Sequence, residues 1–134
     1  MNDPGITILL DGGRRQYEPG DTLTAEYRID SLALIDAKAI EVSVLWYTMG
    51  KGDDDIAVHH FVRQTSDEGH LIDWRKPQRI RTTLPMSPLS YEGVIVKVRW
   101  CVRVRLFPTR GKELTSDTPF HLGTVPAAQP PLLL

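Results

Sequence analysis

The side chains best able to do chemistry are four histidines, His59, His60, His70 and His121, and one cysteine, Cys101. His59 and His60 are adjacent, so in an extended strand they point to opposite faces and do not readily share an ion. No His-Glu-x-x-His, cysteine pair or carboxylate–histidine spacing of metal type occurs. Asp53-Asp54-Asp55 follows Gly52 at a turn. It lacks the alternating ligands and closing glutamate of a dedicated calcium loop, and reads as a solvated acidic tip. Cys101 stands between Arg99 and Arg103, where positive neighbours would favour a thiolate on an outward, exposed thiol. No histidine can be placed beside it from sequence, so it reads as structural. There is no Gly-rich phosphate loop and no Gly-x-Ser-x-Gly elbow. These residues point away from an enzyme, and no metal or cofactor is expected.

Binding chemistry is better represented. Lys97, Arg99, Arg103 and Arg105 fall on alternate positions, and Arg79 and Arg81 repeat the pattern on what would be a flanking strand. Side chains two apart on a strand are separated by about 6.6–6.8 Å, a spacing that suits an extended acidic ligand. Pairing within the sheet would use up the same charges. Both readings stand at the level of sequence. Single-strand nucleic-acid readers interleave aromatics with the cations. Here Trp100 points to the other face, so nucleic acid is not an expected partner. Trp74, beside Arg75, is the one aromatic placed for stacking on a carbohydrate.

The elements that position these residues are strands. From Val94 to Leu106 every even position is apolar, while Lys97, Arg99, Cys101, Arg103 and Arg105 occupy odd ones. That alternation writes a long strand with an apolar inner face and a basic outer face. Ile40–Thr48 and Leu23–Ile29 repeat it; Ile6–Leu10, Ile56–Arg63, Arg79–Leu84 and Leu114–Leu122 do so more weakly. Gly/Pro/Asp turn signals separate them, and only Asp30–Lys38 would fit a short helical turn. Seven or eight such strands predict a two-sheet antiparallel sandwich with Trp46 and Trp100 meeting in its core.

Composition agrees. A chain of 134 residues, 41% hydrophobic and 25% charged, suits one soluble domain, expected over residues 1–125. Residues 126–134 form a Pro/Leu-rich tail ending in Leu132, Leu133 and Leu134, expected either to fold back or to enter a groove on another molecule. The net charge of -1 conceals an acidic first half, with six basic and twelve acidic residues up to Asp67. Glu68 to Lys112 carries ten basic and three acidic. Acidic and basic strands lying side by side would neutralise one another. The lone thiol, the absence of a basic leader and the absence of about 20 consecutive apolar residues make the cytoplasm the expected compartment, with no integral membrane segment.

Two segments resemble the arrestin-like superfamily, whose members include arrestins, retromer-type sorting subunits and bacterial sporulation-control proteins. One is Tyr17-Glu18-Pro19-Gly20-Asp21-Thr22-Leu23, similar to the family's aromatic-x-Pro-Gly-acid turn. The other is Leu84-Pro85-Met86-Ser87-Pro88-Leu89-Ser90-Tyr91-Glu92-Gly93, similar to its Pro-rich connection into a long strand, with Tyr91 expected to tuck under the rim. The resemblance implies an immunoglobulin/arrestin-like sandwich and a non-catalytic adaptor or scaffold that binds another protein. Family members carry two such domains, and this chain has residues for one. The surfaces available are an exposed sheet edge, the basic face and the leucine tail, and they would equally support a homodimer. The rival readings are a carbohydrate-binding sandwich and a structural subunit of a larger assembly.

Overall fold

The computed structural model describes residues 5–30, 37–52, 54–65 and 76–128. Within these, nine strands follow one another: β1 (Ile6–Leu10), β2 (Gln16–Tyr17), β3 (Thr22–Ile29), β4 (Ala37–Gly50), β5 (Ile56–Thr65), β6 (Gln78–Thr83), β7 (Tyr91–Glu92), β8 (Val96–Pro108) and β9 (Leu114–Leu122). They form a three-stranded sheet, β1-β3-β6, packed on a larger sheet ordered β2-β9-β8-β4-β5, with β7 also paired to β8. All pairings are antiparallel except the short β2–β9 contact. Seven or eight strands are expected; the two that the sequence segments do not name, β2 and β7, are two residues each, too short for a periodicity to register.

Alternation sets the inner faces as predicted along much of the chain. Leu23, Ala25, Tyr27 and Ile29 of β3 face Val42 and Val44 of β4 and Trp100, Val102, Val104 and Leu106 of β8 within one buried cluster. The pattern over-reads β8 at its start. Val94 is 60% exposed and precedes the strand, and Val96 pairs only with Gly50 at the far end of the β4–β5 hairpin. Of the expected helical turn, residues 31–36 lie outside the described residues, and Ala37 and Lys38 already belong to β4.

Trp46 and Trp100 are register partners on β4 and β8, but only Trp100 is fully buried. Its neighbours are other rings. His59 lies 6.1 Å away on one side and Phe120 5.8 Å on the other, and Phe120 in turn meets Tyr17 edge-on at 5.4 Å. The Trp100 indole N–H donates to the Pro88 carbonyl at 2.8 Å, satisfying its one polar atom and tying down the Pro-rich connection. Tyr91 does not tuck beneath the rim. It is 39% exposed, and its ring lies so close to Gly93 that a Cβ there would come within 2.5 Å of it.

The Tyr17–Leu23 segment joins the sheets. Gly20 has φ 86, the conformation that glycine adopts without steric cost, and the Asp21 N–H donates to the Glu18 carbonyl at 3.0 Å to close the turn. The turn is bonded to Leu84 in both directions, Gly20 N–H to the Leu84 carbonyl at 3.1 Å and Leu84 N–H to the Asp21 carbonyl at 2.8 Å. Buried Tyr17 belongs to the large sheet. Its hydroxyl donates at 2.6 Å to Asp11, whose carboxylate also accepts from Thr24 N–H of the small sheet at 3.2 Å. Tyr17→Phe removes one hydrogen bond to a carboxylate and is expected to cost about 1.5–3 kcal/mol. Trp100→Ala empties a ring site and is expected to cost about 3–5 kcal/mol. Chemical denaturation of both variants checks the magnitudes, since a Tyr17 serving only as packing would leave Tyr17→Phe close to the unsubstituted protein.

Candidate functional site

The basic stripe lies on the outer face of the large sheet, and the strands beside it bring acids to it in register. Arg103 stands opposite Asp117 of β9 and binds its two carboxylate oxygens at 2.8 and 3.0 Å. Arg105 stands opposite Glu41 of β4 at 3.8 Å and reaches Glu113 at 2.8 Å. Glu41 also pairs with Arg63 of β5. Arg99 and Lys97 share Glu92 of β7, at 3.1 and 3.4 Å. Hydrogen bonds from Arg99 hold Glu92 below its ordinary range, and those from Arg105 do the same for Glu113. The charge asymmetry of the sequence is thus closed by cross-strand pairs.

Arg79 and Arg81 do not flank this stripe. They sit on β6, which pairs with β3, so they belong to the opposite sheet. There Arg79 lies 3.8 Å from Glu26. A weak strand with no long periodic neighbour gives no sequence signal for which sheet it joins. Leu132, Leu133, Leu134, Trp74, Asp53 and His70 lie outside the described residues. The chain is followed as far as Ala128, whose N–H donates to the Glu92 carbonyl at 2.8 Å.

Cys101 is buried, which fits the structural reading of this thiol and removes the exposure that activation by its arginine neighbours would need. It is 2% exposed, in register between Leu45 of β4 and Pro119 of β9. Burial, reinforced by nearby Asp117 and only partly opposed by Arg103, pushes its pKa from 9.0 up to about 12. Desolvation outweighs the guanidinium because Arg103 has already spent its charge on Asp117. Among the described residues no three His, Cys, Asp or Glu side chains come together as a metal group. His59 is instead a clasp between sheets. It occupies a β-bulge, and its Nε2 lies 2.8 Å from the Thr83 carbonyl and 3.2 Å from Thr82 Oγ1, both on β6. Tyr27 makes a second clasp, its hydroxyl 3.3 Å from Gln64 of β5.

Two surface features were not legible as sites. The first is β5 itself: it pairs with β4, and among the described residues no strand pairs its other side. Ile56, Val58 and Phe61 on it are 59%, 54% and 50% exposed. The second is a concavity of about 550 Å³ on the outer face, between β7 and β9, with Cys101 in its lining. Sequence periodicity marks a strand as apolar but not as terminal in its sheet, and the concavity is assembled from five strand regions.

No family model and no curated protein matches the chain. Among solved structures it is similar to Spo0M, a sporulation control protein from Bacillus subtilis, with a TM-score of 0.57 at 17% identity. The match covers 90% of this chain and 49% of Spo0M, so the chain spans about half that protein's length. The likeness establishes the fold: a β-sandwich of immunoglobulin/arrestin-like architecture. No helix among the described residues is long and apolar enough to cross a membrane.

A thiol with a raised pKa resists alkylation, and Cys101 is expected to react with iodoacetamide at pH 8 only as fast as the protein unfolds. A denatured control reacts at once. Because the folded thiol holds its proton to higher pH than the unfolded one, its contribution to stability is complete below about pH 9. It is lost as the pH rises toward 12, so Cys101→Ala should flatten the fall in stability over that range. Arg103→Ala strips Asp117 of its two-point partner and should cost about 1 kcal/mol, the scale of a half-exposed pair, measured by denaturant midpoint.

Proposed function

We propose that this chain is a non-catalytic protein-interaction module of arrestin-like type, and that it engages another protein by strand addition along β5. The observation that carries this reading is the character of that edge. Ten residues of extended backbone, Ile56–Thr65, present apolar side chains beside an edge with no partner strand among the described residues. Natural edges are guarded by lysine, proline or bulges. β5 contains neither lysine nor proline, and its one formal charge, Arg63, is bound to Glu41. Its single guard is the bulge near His59, which leaves Ile56–Val58 and His60–Thr65 as separate extended runs. Added strands gain affinity from main-chain hydrogen bonds and specificity from alternate side chains.

The outer basic face is a weaker first contact, because its cations already hold carboxylates at 2.8–3.4 Å and would have to exchange them. That Spo0M is a sporulation control protein fits a module that acts by binding.

The test captures a protein with the intact chain, purifies it, and measures its affinity for two variants. Val58→Lys/Phe61→Lys places charged guards on the edge and should weaken binding at least tenfold. Folding should be spared to within about 0.5 kcal/mol, since both side chains are exposed. Arg105→Ala, on the basic stripe but outside the concavity between β7 and β9, should retain the partner. Unchanged affinity of the edge variant, or loss confined to the arginine variant, overturns strand addition along β5.

A further inference from the structure

The concavity on the outer face opens at a seam. β9 stays paired with β8 as far as Trp100–Phe120; beyond it β7 takes over at Val98–Tyr91. Ser90 fills the seam from below. Its N–H donates to the Leu122 carbonyl, and its Oγ accepts from Leu122 N–H, each at 2.8 Å. Above it the space of about 550 Å³ is lined by apolar atoms of Cys101 and Pro119 and rimmed by charged side chains.

The rim charges do not all cancel. Glu92 is held by Arg99 and Lys97, and Asp117 by Arg103. Arg15 and His121 complete the rim. Arg15 donates to the Pro119 carbonyl at 3.1 Å and has no carboxylate in ion-pair range among the described residues. The His121 backbone is bonded to the Arg15 carbonyl at 2.8 Å, which fixes the two residues side by side. No described residue partners the His121 imidazole. With both acids already neutralised, a guanidinium with most of its donors unspent stands beside an imidazole over an apolar floor. A guanidinium fork matches a carboxylate in shape and charge. The space opens broadly onto the sheet face, which suits a side chain presented by a protein.

From this geometry we propose that the concavity receives an Asp or Glu side chain of an extended partner segment, with Arg15 as its principal ligand and Cys101 and Pro119 under the neighbouring apolar residue. The proposal rests on the interaction-module reading and adds to it a second point of contact, on a face separate from the β5 edge.

Amide chemical-shift mapping of the intact chain tests it, with N-acetyl-Val-Glu-Val-amide as the probe and its glutamine analogue as the control. The expected result is saturable shifts at Arg15, Cys101 and His121 with the glutamate peptide. Binding should be about tenfold weaker for the glutamine peptide, the scale of one charge-assisted hydrogen bond, and weaker with added salt. Arg15→Glu should abolish the shifts, and Arg15→Lys, which keeps the charge and loses the fork, should weaken them. His121→Gln provides a second variant, and dispersed spectra show that each remains folded. Equal response to both peptides, shifts that map elsewhere, or no saturable shift overturns the proposal. Val58→Lys/Phe61→Lys should leave this peptide's binding unchanged. A failed concavity with a partner still lost on edge substitution therefore leaves the interaction-module reading standing, and the converse result separates them the other way.

Discussion

Because successive residues of a strand face opposite ways, the pairing of β4 with β8 decides both surfaces of the large sheet at once. The register from Ala37–Pro108 to Gly50–Val96 puts Val42, Val44 and Trp46 beside Val104, Val102 and Trp100 on one side. On the other it puts Glu41, Ser43, Leu45 and Tyr47 beside Arg105, Arg103, Cys101 and Arg99. A slip by one residue would send the arginines into the core and the valines into water, which is why one face buried on another sheet specifies register so strongly. The ring cluster around Trp100 and the carboxylate partners of the arginines follow from that ladder.

The outer face shows how a cationic strand is tolerated in a nearly neutral protein. Each arginine from 99 to 105 meets an acid delivered by an adjacent strand: Glu92 from β7, Asp117 from β9, Glu41 from β4, and Glu113 just before β9. Partly exposed pairs of this kind add little stability singly. Their collective effect is on specificity, since a misregistered β9 or β4 would set like charges or empty positions against the stripe. Most of that face is satisfied internally, so among the described residues the proposed contacts fall on β5 and on the rim around Arg15.

The same pairing bears on the Cys101 thiol. Its arginine neighbours are engaged with carboxylates, so the thiol feels burial more than their field, and its pKa moves upward. In the sequence the charge of Arg103 is visible and its partner Asp117, fourteen residues further on, is not.

Strand periodicity alone determined that the chain is an all-β sandwich, that the apolar face of β3 is buried, and that Trp100 is core; it did not show that Leu45 and Cys101 on the outer face are buried too. Burial follows from alternation within single segments, and alternation is a local property. The Pro19-Gly20 turn was legible for the same reason, its geometry being set by four consecutive residues. Only tertiary structure decided which strand stands beside which. That choice placed Arg79 and Arg81 on the opposite sheet, gave the basic stripe its acids, put β5 at the end of its sheet among the described residues and turned His59 into a clasp between sheets. Most of these pairings join residues far apart in the chain, and even Glu92 and Glu113, seven and eight residues from Arg99 and Arg105, reach them only because the strands turn back beside one another.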